Sequence, residues 1–390
     1  MRRTADAVVI GGGAVGASVL YYLTTLGMRD VVLLEKGTLA SGSTGASAAI
    51  VRQHYSNEVS IRLAIRSIDI LKGFPEELGG ADVFTPCGWL FLCPPEPGPM
   101  FKENMARLRR LGVRTEEIPV NDATEHLFGL NTNGVGYVAF EPESGYADPT
   151  AVVEGFAAGA RANGAEVHIN TPAVGLRLAG GRVEAVATEA AEISTPVAVN
   201  AAGPWAAEVG RWAGLDLPLE ISREQDVVLS PPPGAPVLRL AVSDMVDRIY
   251  FRPEANGTIV AGTGHPKENE AADPDGFDRH ADQPFIEDVG ARISLRLPWM
   301  ADAEVVSGWA GLYTITPDWS MIVDRAPGVE GLYLAVGGSG HSFKLAPAIG
   351  QCLAELIAHG KATTVDITPL RATRFKESDQ IRSTYGGNRG

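Results

Sequence analysis

Apolar residues near the start of the chain occur in short continuous runs on either side of a helical segment. Residues 8–10 and 31–34 are wholly apolar, as is typical of strands that are buried on both faces of a parallel sheet. The segment between them has the pattern of a helix. A strand, a helix and a second strand in this order predict an α/β unit.

The glycines between the first strand and the helix indicate a nucleotide site. Gly11, Gly13 and Gly16 form the pattern G-x-G-x-x-G. The first permits a tight turn, the second lets the backbone approach a pyrophosphate, and the third lets the helix pack on the strand. Glu35 ends the second strand about 20 residues further on, where an acid can accept hydrogen bonds from ribose hydroxyls. These residues predict a bound dinucleotide, and NAD and FAD fit them equally well.

Small and hydroxyl-bearing residues fill positions 36–49, directly after Glu35. Because they follow a nucleotide-binding strand, we expect them to contact the cofactor; a flexible surface loop is the alternative. The residues of this run that we assign to cofactor contact are Lys36, Ser43, Thr44 and Ala48.

The rest of the chain alternates between helical and strand patterns. Helices are predicted at 58–74, 100–111, 150–163 and 343–359, and strands at 166–169, 174–178, 182–188, 196–200 and 332–336. Residues 220–313 carry alternating segments with proline-rich turns, which predict an antiparallel sheet. The predicted fold class is therefore α/β, with a discontinuous Rossmann-like domain and an α+β second domain built on an antiparallel or mixed sheet.

The order of these elements also predicts the domain organisation. A chain of 390 residues is long enough for about two domains. We assign residues 1–82, 147–218 and 319–375 to the nucleotide-binding domain. Residues 83–146 and 219–318 form the second domain, which would hold the substrate, and residues 376–390 form a tail.

Charge and cysteine content narrow the classes of function. The formal net charge of −14 disfavours nucleic acid or an anionic membrane as a partner. The 3 cysteines are too few and too scattered for a disulfide framework or a metal site. Glycine and polar residues interrupt the longest apolar runs, so no membrane span is expected. No signal peptide is expected before the first strand, and the predicted location is the cytoplasm.

Five segments together make the chain similar to a known family. They are the Gly11–Gly16 fingerprint with Glu35, residues 42–52, residues 200–203, residues 311–318 and residues 338–344. In this order they resemble the amine-oxidising flavoproteins of the D-amino-acid oxidase superfamily, which include glycine oxidase and monomeric sarcosine oxidase. The resemblance covers nearly the whole chain. It implies FAD as the cofactor, with the flavin ring between a discontinuous FAD domain and the substrate domain.

The resemblance also implies a carboxylate anchor. Arg52 and Lys344 match family positions that hold the substrate carboxylate, and the planar fork of arginine suits that role. Tyr250 matches a position whose hydroxyl reaches the same carboxylate; a tyrosine simply packed in the sheet is the alternative. His341 would lie beside the flavin, although a structural histidine is equally compatible with the sequence.

Further cofactor contacts follow from the same resemblance. The glycine-rich turn before the last helix would aim N–H groups and the positive end of the helix dipole at the flavin. The implied contacts are Val174, Gly203, Gly338, Gly340, His341 and Lys344. His54 and His265 are expected only as neighbours of the pocket.

Three positions depart from relatives in this family. Some relatives tether the flavin covalently, but the matching positions here are Gly311 and, after Thr44, Gly45 and Ala46. We therefore expect non-covalent FAD. The sarcosine oxidases use a lysine over the flavin to activate oxygen, and the matching residue here is Val260; Lys267 is the nearest lysine and is expected beyond that strand.

The function implied is oxidation of the C–N bond of a small amino acid, glycine or an N-substituted glycine. A hydride would pass to the flavin from the substrate with its amine deprotonated, and water would hydrolyse the imine, with oxygen as acceptor. No side chain stands out in the sequence as a base. The alternatives are a D-amino-acid or imino-acid dehydrogenase with a quinone or protein acceptor, an FAD-carrying subunit of a hetero-oligomeric amine dehydrogenase, and a 2-hydroxy-acid oxidoreductase. A homo-oligomer or an electron-acceptor partner is compatible with each.

Overall fold

Two large sheets organise the chain, of which the computed structural model describes residues 2–96, 98–264 and 266–383. The strands are β1 Ala7–Ile10, β2 Val31–Leu34, β3 Ile50–Val51, β4 Phe84–Thr85, β5 Trp89–Cys93, β6 Glu116–Ile118, β7 Tyr137–Glu141, β8 Gly145–Ala147, β9 Glu166–His168, β10 Ala173–Ala179, β11 Arg182–Thr188, β12 Glu192–Ser194, β13 Ala198–Asn200, β14 Glu220–Ser230, β15 Ala241–Asp244, β16 Ile249–Pro253, β17 Ile259–Thr263, β18 Glu304–Ile315, β19 Ile322–Arg325 and β20 Leu332–Val336. The α-helices are α1 Ala14–Thr25, α2 Glu58–Lys72, α3 Phe74–Leu78, α4 Gly98–Arg110, α5 Ala123–His126, α6 Pro149–Ala162, α7 Ala206–Trp212, α8 Gln283–Arg296 and α9 Ser342–His359.

The first sheet has six strands in the order β19-β20-β13-β1-β2-β9. Its strands run parallel except for β19, which pairs antiparallel with β20. Strands β1 and β2 are buried at every position because helices cover one face of the sheet, and the small β10-β11-β12 sheet together with α7 covers the other. The carboxyl ends of β1, β2, β13 and β20 meet at one edge, which is where open α/β sheets bind ligands.

The second sheet has eight strands in the order β18-β14-β17-β16-β15-β5-β7-β6. All neighbours are antiparallel except β15 and β5. The small sheets β10-β11-β12 and β3-β8-β4 complete the strand pairing. The mixed α/β fold with a doubly covered parallel sheet and a separate mixed sheet is the predicted fold class.

Local signals explain where several helices begin. Asp148 caps α6 by accepting from the backbone N–H groups of Thr150 and Ala151, both at 2.9 Å, and Pro149 occupies the first helical position. Asn57 caps α2 in the same way through Ser60. Both helices therefore start within one residue of their predicted positions.

Some elements were not predicted. Helix α8 lies within 220–313, which we predicted to be strands, and strands β6, β7 and β12 were also missed. Helix α8 buries only Val289, Ile293 and Arg296, so its apolar face is too narrow to stand out in the sequence. The domain boundaries stay a prediction; every strand of the six-stranded sheet falls in a range assigned to the nucleotide-binding domain, and every strand of the eight-stranded sheet in a range assigned to the second.

Candidate active site

A cavity of about 860 Å³ lies between the two large sheets. One end is lined by residues that follow β1 and β2, and the other by the eight-stranded sheet and the start of α9. The cavity therefore joins the predicted nucleotide site to the predicted substrate site.

The glycine fingerprint lines the nucleotide end of this cavity. Gly11 has φ +113°, and a Cβ there would lie 2.4 Å from the carbonyl oxygen of Ala201. At Gly16 a Cβ would lie 1.9 Å from the carbonyl oxygen of Gly11, so this glycine allows α1 to pack on β1. Gly13 lines the cavity and precedes α1 without any side-chain cap, and the first turn of α1 carries no acid. The exposed N–H groups and dipole end at this position suit a pyrophosphate.

Glu35 is oriented across the same end of the cavity. Its carboxylate accepts the N–H groups of Gly12 and Gly37, both at 2.6 Å. A carboxylate has four lone-pair positions, so two remain for ribose hydroxyls. Lys36 is half-exposed at the rim, where its ammonium lies 2.8 Å from Asp275 and over the ring of Trp205.

Ser43 and Thr44 provide a direct test of whether a cofactor fits. The Ser43 hydroxyl is buried and has no hydrogen-bond partner among the described residues, an arrangement that costs free energy unless a ligand supplies one. Thr44 Oγ1 accepts the N–H of Ala14 at 3.1 Å and so holds this loop against the start of α1. The orphaned hydroxyl, and the first-turn N–H groups of α1 that follow Ala14, fit the diphosphate of a dinucleotide.

The other predicted cofactor contacts are spread along the cavity wall. Val174, Gly203 and Ala48 all line it. Val174 is 47% exposed, which is unusual for valine and suits a flat apolar ligand such as an adenine ring. The Ala48 carbonyl accepts from Arg252 Nε, which fixes the backbone there.

The glycine-rich turn before α9 closes the opposite end of the cavity. Gly338, Gly340 and His341 line it. Gly340 has φ +77°, and a Cβ there would lie 2.3 Å from the ring of Tyr313. The His341 ring makes an edge contact with Tyr55, with ring centroids 5.5 Å apart.

The predicted carboxylate anchor forms a pair of cations at the end of the cavity beside α9. Arg52 is half-buried, donates to the carbonyl of His54, and lies 4.8 Å from the centroid of the Tyr55 ring. Lys344 donates to the carbonyl of Gly340 at 3.3 Å. Burial and the charge of Arg52 lower the pKa of Lys344 well below its usual value. No described acidic side chain forms an ion pair with either cation.

Tyr250 lies on the sheet side of the cavity and has a different partner. Its hydroxyl donates to Asp226 Oδ1 at 2.8 Å. A tyrosine has one hydroxyl proton, so Tyr250 does not donate to Asp226 and to a substrate carboxylate at once. Its role towards a carboxylate stays a prediction.

Sequence reasoning missed two carboxylates of the cavity wall, Asp226 and Glu224. Glu224 accepts from Ser222 at 2.9 Å and pairs with Lys267 at 2.7 Å, so Lys267 lies beyond β17 but reaches back to Glu224. A signal was present: consecutive positions from 222 to 226 are polar, which is unusual for a stretch of strand that is buried at each of these positions. His54 lines the cavity as expected, whereas His265 lies outside the described residues.

The helices of the described ranges fall short of the length and hydropathy that a bilayer span requires. In the same ranges no three His, Cys, Asp or Glu side chains are grouped so as to hold a metal ion.

Comparison with known proteins places the chain among flavoproteins. The chain is 28% identical to the bovine (Bos taurus) "FAD-dependent oxidoreductase domain-containing protein 1", over 95% of this chain and 84% of that protein. It is 30% identical to mouse (Mus musculus) mitochondrial sarcosine dehydrogenase over 92% of this chain, but spans only 40% of that longer protein.

Solved structures agree in fold. L-proline dehydrogenase from P. horikoshii superimposes with a TM-score of 0.89 at 28% identity, covering 98% of this chain and all (100%) of that one. Glycine oxidase from Geobacillus kaustophilus has a TM-score of 0.81 at 23% identity, covering 95% and 99% of the two chains, and shares the fold.

The model of the family "FAD dependent oxidoreductase" matches residues 6–356. This range contains the glycine fingerprint, the orphaned Ser43 hydroxyl and the two cations Arg52 and Lys344. The chain belongs to this family of FAD-dependent oxidoreductases, and its cofactor is FAD.

Proposed function

We propose that this protein oxidises the C–N bond of a small amino acid whose carboxylate is held by Arg52 and Lys344. The observation that carries the proposal is the pair of cations in the cavity wall, neither of which is ion-paired with a described acid. Burial and, after it, the neighbouring charge of Arg52 lower the pKa of Lys344, so holding both cations in this cavity costs free energy. An anionic ligand group between them removes this cost.

The substrate class within this proposal is glycine or an N-substituted glycine. The named activities of the relatives support this class, since they include sarcosine and dimethylglycine dehydrogenases, and an L-proline dehydrogenase among the structures. All these substrates carry an amine on the carbon beside a carboxylate. An anchor that holds only the carboxylate end accepts all of them.

The chain's own contribution is to bind, orient and exclude water. Bound FAD supplies the acceptor for a hydride from the carbon beside the amine. Arg52 and Lys344 fix the carboxylate, and this fixes the adjacent carbon, so that the reacting atoms meet without a further loss of rotational freedom. Tyr55 and Trp89, whose rings lie 4.8 and 5.7 Å from the Arg52 guanidinium, keep that cation away from water.

The FAD in this proposal is not covalently attached. Gly311 and Ala46, two of the positions that carry tethers in relatives, face each other; a Cβ at Gly311 would lie 2.9 Å from the Ala46 Cβ. Neither residue has an atom that could bond to a flavin. Acid precipitation of the purified protein should leave the flavin in the supernatant.

Two candidate functions, an oxidase and a dehydrogenase, differ in the electron acceptor. Oxygen is the acceptor expected from the sequence. A dehydrogenase with a quinone or protein acceptor is the second candidate; it is supported by the names of the sarcosine and proline relatives and by the pairing of Lys267 with Glu224. Slow reoxidation of the reduced protein in air, together with fast reduction of a dye, favours the dehydrogenase. We also propose a cytoplasmic location, which rests on the sequence alone.

The test is anaerobic bleaching of the flavin absorbance by a panel of small molecules. We expect bleaching by at least one of glycine, sarcosine, dimethylglycine, L-proline and D-amino acids. Bleaching only by glycolate or lactate would support a 2-hydroxy-acid oxidoreductase instead. No bleaching by any compound would overturn the proposal in favour of an FAD-carrying subunit without its own substrate.

A variant locates the reaction in this cavity. Arg52→Ala should raise the half-saturating substrate concentration by the equivalent of roughly 2–5 kcal/mol. Arg62→Ala is the matched control, because Arg62 lies on the exposed side of α2 and pairs with Glu58. Equal values for the two variants would remove Arg52 from the site.

A further inference from the structure

Apart from Asp244, which pairs with Arg296, the eight-stranded sheet presents two carboxylates to the cavity. Glu224 and Asp226 lie two residues apart on β14, so both point to the same face of the sheet, and both line the cavity. Burial and the charges of Glu224 and Asp226 raise the pKa of Tyr313, whereas the charge of Arg52 lowers it. The cavity therefore has a cationic side and an anionic side, as a zwitterionic ligand requires.

The two carboxylates differ in their partners. Glu224 is engaged by Ser222 and Lys267. Asp226 receives one hydrogen bond, from Tyr250 to Oδ1, and Oδ2 accepts none from the described residues. Asp226 is thus the carboxylate with an oxygen left for a ligand.

A glycine on the neighbouring strand makes room for this arrangement. Gly262 on β17 lies opposite both Asp226 and Tyr250 in the sheet register. A Cβ at Gly262 would lie 2.3 Å from the Tyr250 hydroxyl and 2.6 Å from Asp226 Oδ1. Any other residue at this position would push the pair apart, so the backbone here is fitted to the Asp226–Tyr250 contact.

We propose that Asp226 binds the amino group of the substrate and accepts its proton, and that Tyr250 is a positioning residue that holds the carboxylate in place. The inference rests on the proposed function. In the step itself, an N–H bond of the substrate ammonium breaks and an O–H bond forms on Asp226. The electron pair stays on nitrogen, and the neutral amine that remains is the form from which hydride loss is favourable.

The surroundings of Asp226 suit a proton acceptor near neutral pH. Burial raises the pKa of Asp226 to about 7, against the lowering effects of the Tyr250 hydrogen bond and the charges of Arg252 and Lys267. Glu224 on the same strand raises it further. Such a group is partly ionised at neutrality and can take up a proton there.

Two unreactive ligands of the same shape test whether Asp226 meets the amine. Glycine betaine carries a fixed positive charge on nitrogen, and 3,3-dimethylbutanoate replaces that nitrogen with carbon but keeps the carboxylate. Binding of each to the FAD-loaded protein is followed by the change in the visible absorption of the flavin. At a pH above about 8, where an acid of pKa near 7 is ionised, the unaltered protein should bind betaine about tenfold more tightly or better.

Two variants test whether Asp226 causes the preference for betaine. Asp226→Asn should abolish the preference for betaine and leave binding of 3,3-dimethylbutanoate unchanged, while Asp302→Asn, an exposed residue outside the cavity, should change neither. Equal binding of the two ligands by the unaltered protein would overturn the role of Asp226 and leave the carboxylate anchor standing. Binding of neither ligand would instead contradict the anchor, and with it the proposed function.

The pH profile of kcat/KM is a second readout. The unaltered enzyme should gain activity as the pH rises through about 7, the pKa of Asp226, because only the ionised acid accepts a proton. Asp226→Asn should remove this limb. Tyr250→Phe should move this limb to higher pH, because the Tyr250 hydrogen bond lowers the pKa of Asp226 in the unaltered protein and the variant lacks it. A limb that stays in place in Tyr250→Phe would remove the positioning role of Tyr250.

Discussion

Lys344 allows the carboxylate anchor to be tested without catalysis. Its ammonium contacts the carbonyl of Gly340 at 3.3 Å and has Arg52 as a charged neighbour. Because burial and Arg52 lower the pKa of Lys344, the ligand-free protein loses this proton at a lower pH than an ordinary lysine would. A bound carboxylate adds an opposite charge and raises the pKa of Lys344 again.

The sign and size of the effect follow from proton linkage. Between the pKa of Lys344 in the free protein and its pKa in the complex, binding takes up one proton. The affinity for a carboxylate then falls about tenfold for each pH unit, or about 1.4 kcal/mol. Below this window the lysine is charged in both states, so the affinity should not depend on its titration.

The assay is a titration with 3,3-dimethylbutanoate from about pH 6 to about pH 10, a range above the ordinary pKa of carboxyl groups. The ligand has no amine, so it does not address Asp226. Calorimetry in two buffers with different ionisation enthalpies counts the protons taken up. Lys344→Met should bind more weakly at neutral pH and show neither the slope nor the uptake.

Arg52→Met provides an independent check on the cause. It removes the neighbouring charge that lowers the pKa of Lys344, so the window should move to higher pH while the affinity falls. A flat affinity without proton uptake across the whole range in the unaltered protein would refute the reasoning, because Lys344 would then either not meet the ligand or not have a lowered pKa.

Three further predictions concern cofactor binding and stability. Gly16→Ala should lower the free energy of unfolding by about 3 kcal/mol in urea titrations, because the new Cβ would lie 1.9 Å from the Gly11 carbonyl oxygen. At Gly13 a Cβ would meet only Thr44 Oγ1, at 3.0 Å. Gly13→Ala should therefore weaken FAD binding by about 1.5–3 kcal/mol and change the stability of the apoprotein little. Asp318→Asn should lower the free energy of unfolding by about 3–5 kcal/mol, because it leaves the fully buried Arg374 without its carboxylate. Burial raises the pKa of Asp318, but Arg374 lowers it by more, so the pKa lies below its usual value. In the unaltered protein the stability from this pair is therefore complete above about pH 4 and is lost as the pH falls through the lowered pKa. Asp275→Asn should speed FAD release no more than about fivefold, measured by flavin fluorescence, because its contacts to Lys36 and Trp205 are exposed.

The sequence was most informative where local chemistry is strict. The continuous apolar runs of β1 and β2 are buried at every position, and the glycine spacing matches a turn that only glycine tolerates at Gly11. The Asp148–Pro149 signal placed the start of α6 correctly because a cap acts through its neighbours in the chain. These features could be predicted because each depends on residues that are close in sequence.

The sheet side of the cavity could not be predicted for the opposite reason. Asp226 matters because of Tyr250 on β16 and Gly262 on β17, and no local pattern shows that these three residues meet. The sequence likewise suggested no role for Arg374, yet it is buried against Asp318. The register of the strands and the path of the tail decide both contacts.

Backbone strain occurs in the cavity wall at residues that no local pattern marked. Ala49, Trp319 and Ser339 have φ values of +53°, +57° and +46°, and all three line the cavity. A non-glycine residue in this region costs about 1–3 kcal/mol unless its surroundings enforce it. For Ser339 the enforcing contacts are clear: its N–H donates to the Thr314 carbonyl at 2.8 Å, and its hydroxyl accepts the N–H of Thr316 at 3.2 Å. These bonds tie the turn before α9 to the end of β18, so the ammonium of Lys344, the first N–H groups of α9 and the phenol of Tyr313 are held together. The strain is thus the cost of a cavity whose two sides are fixed relative to each other before a ligand binds.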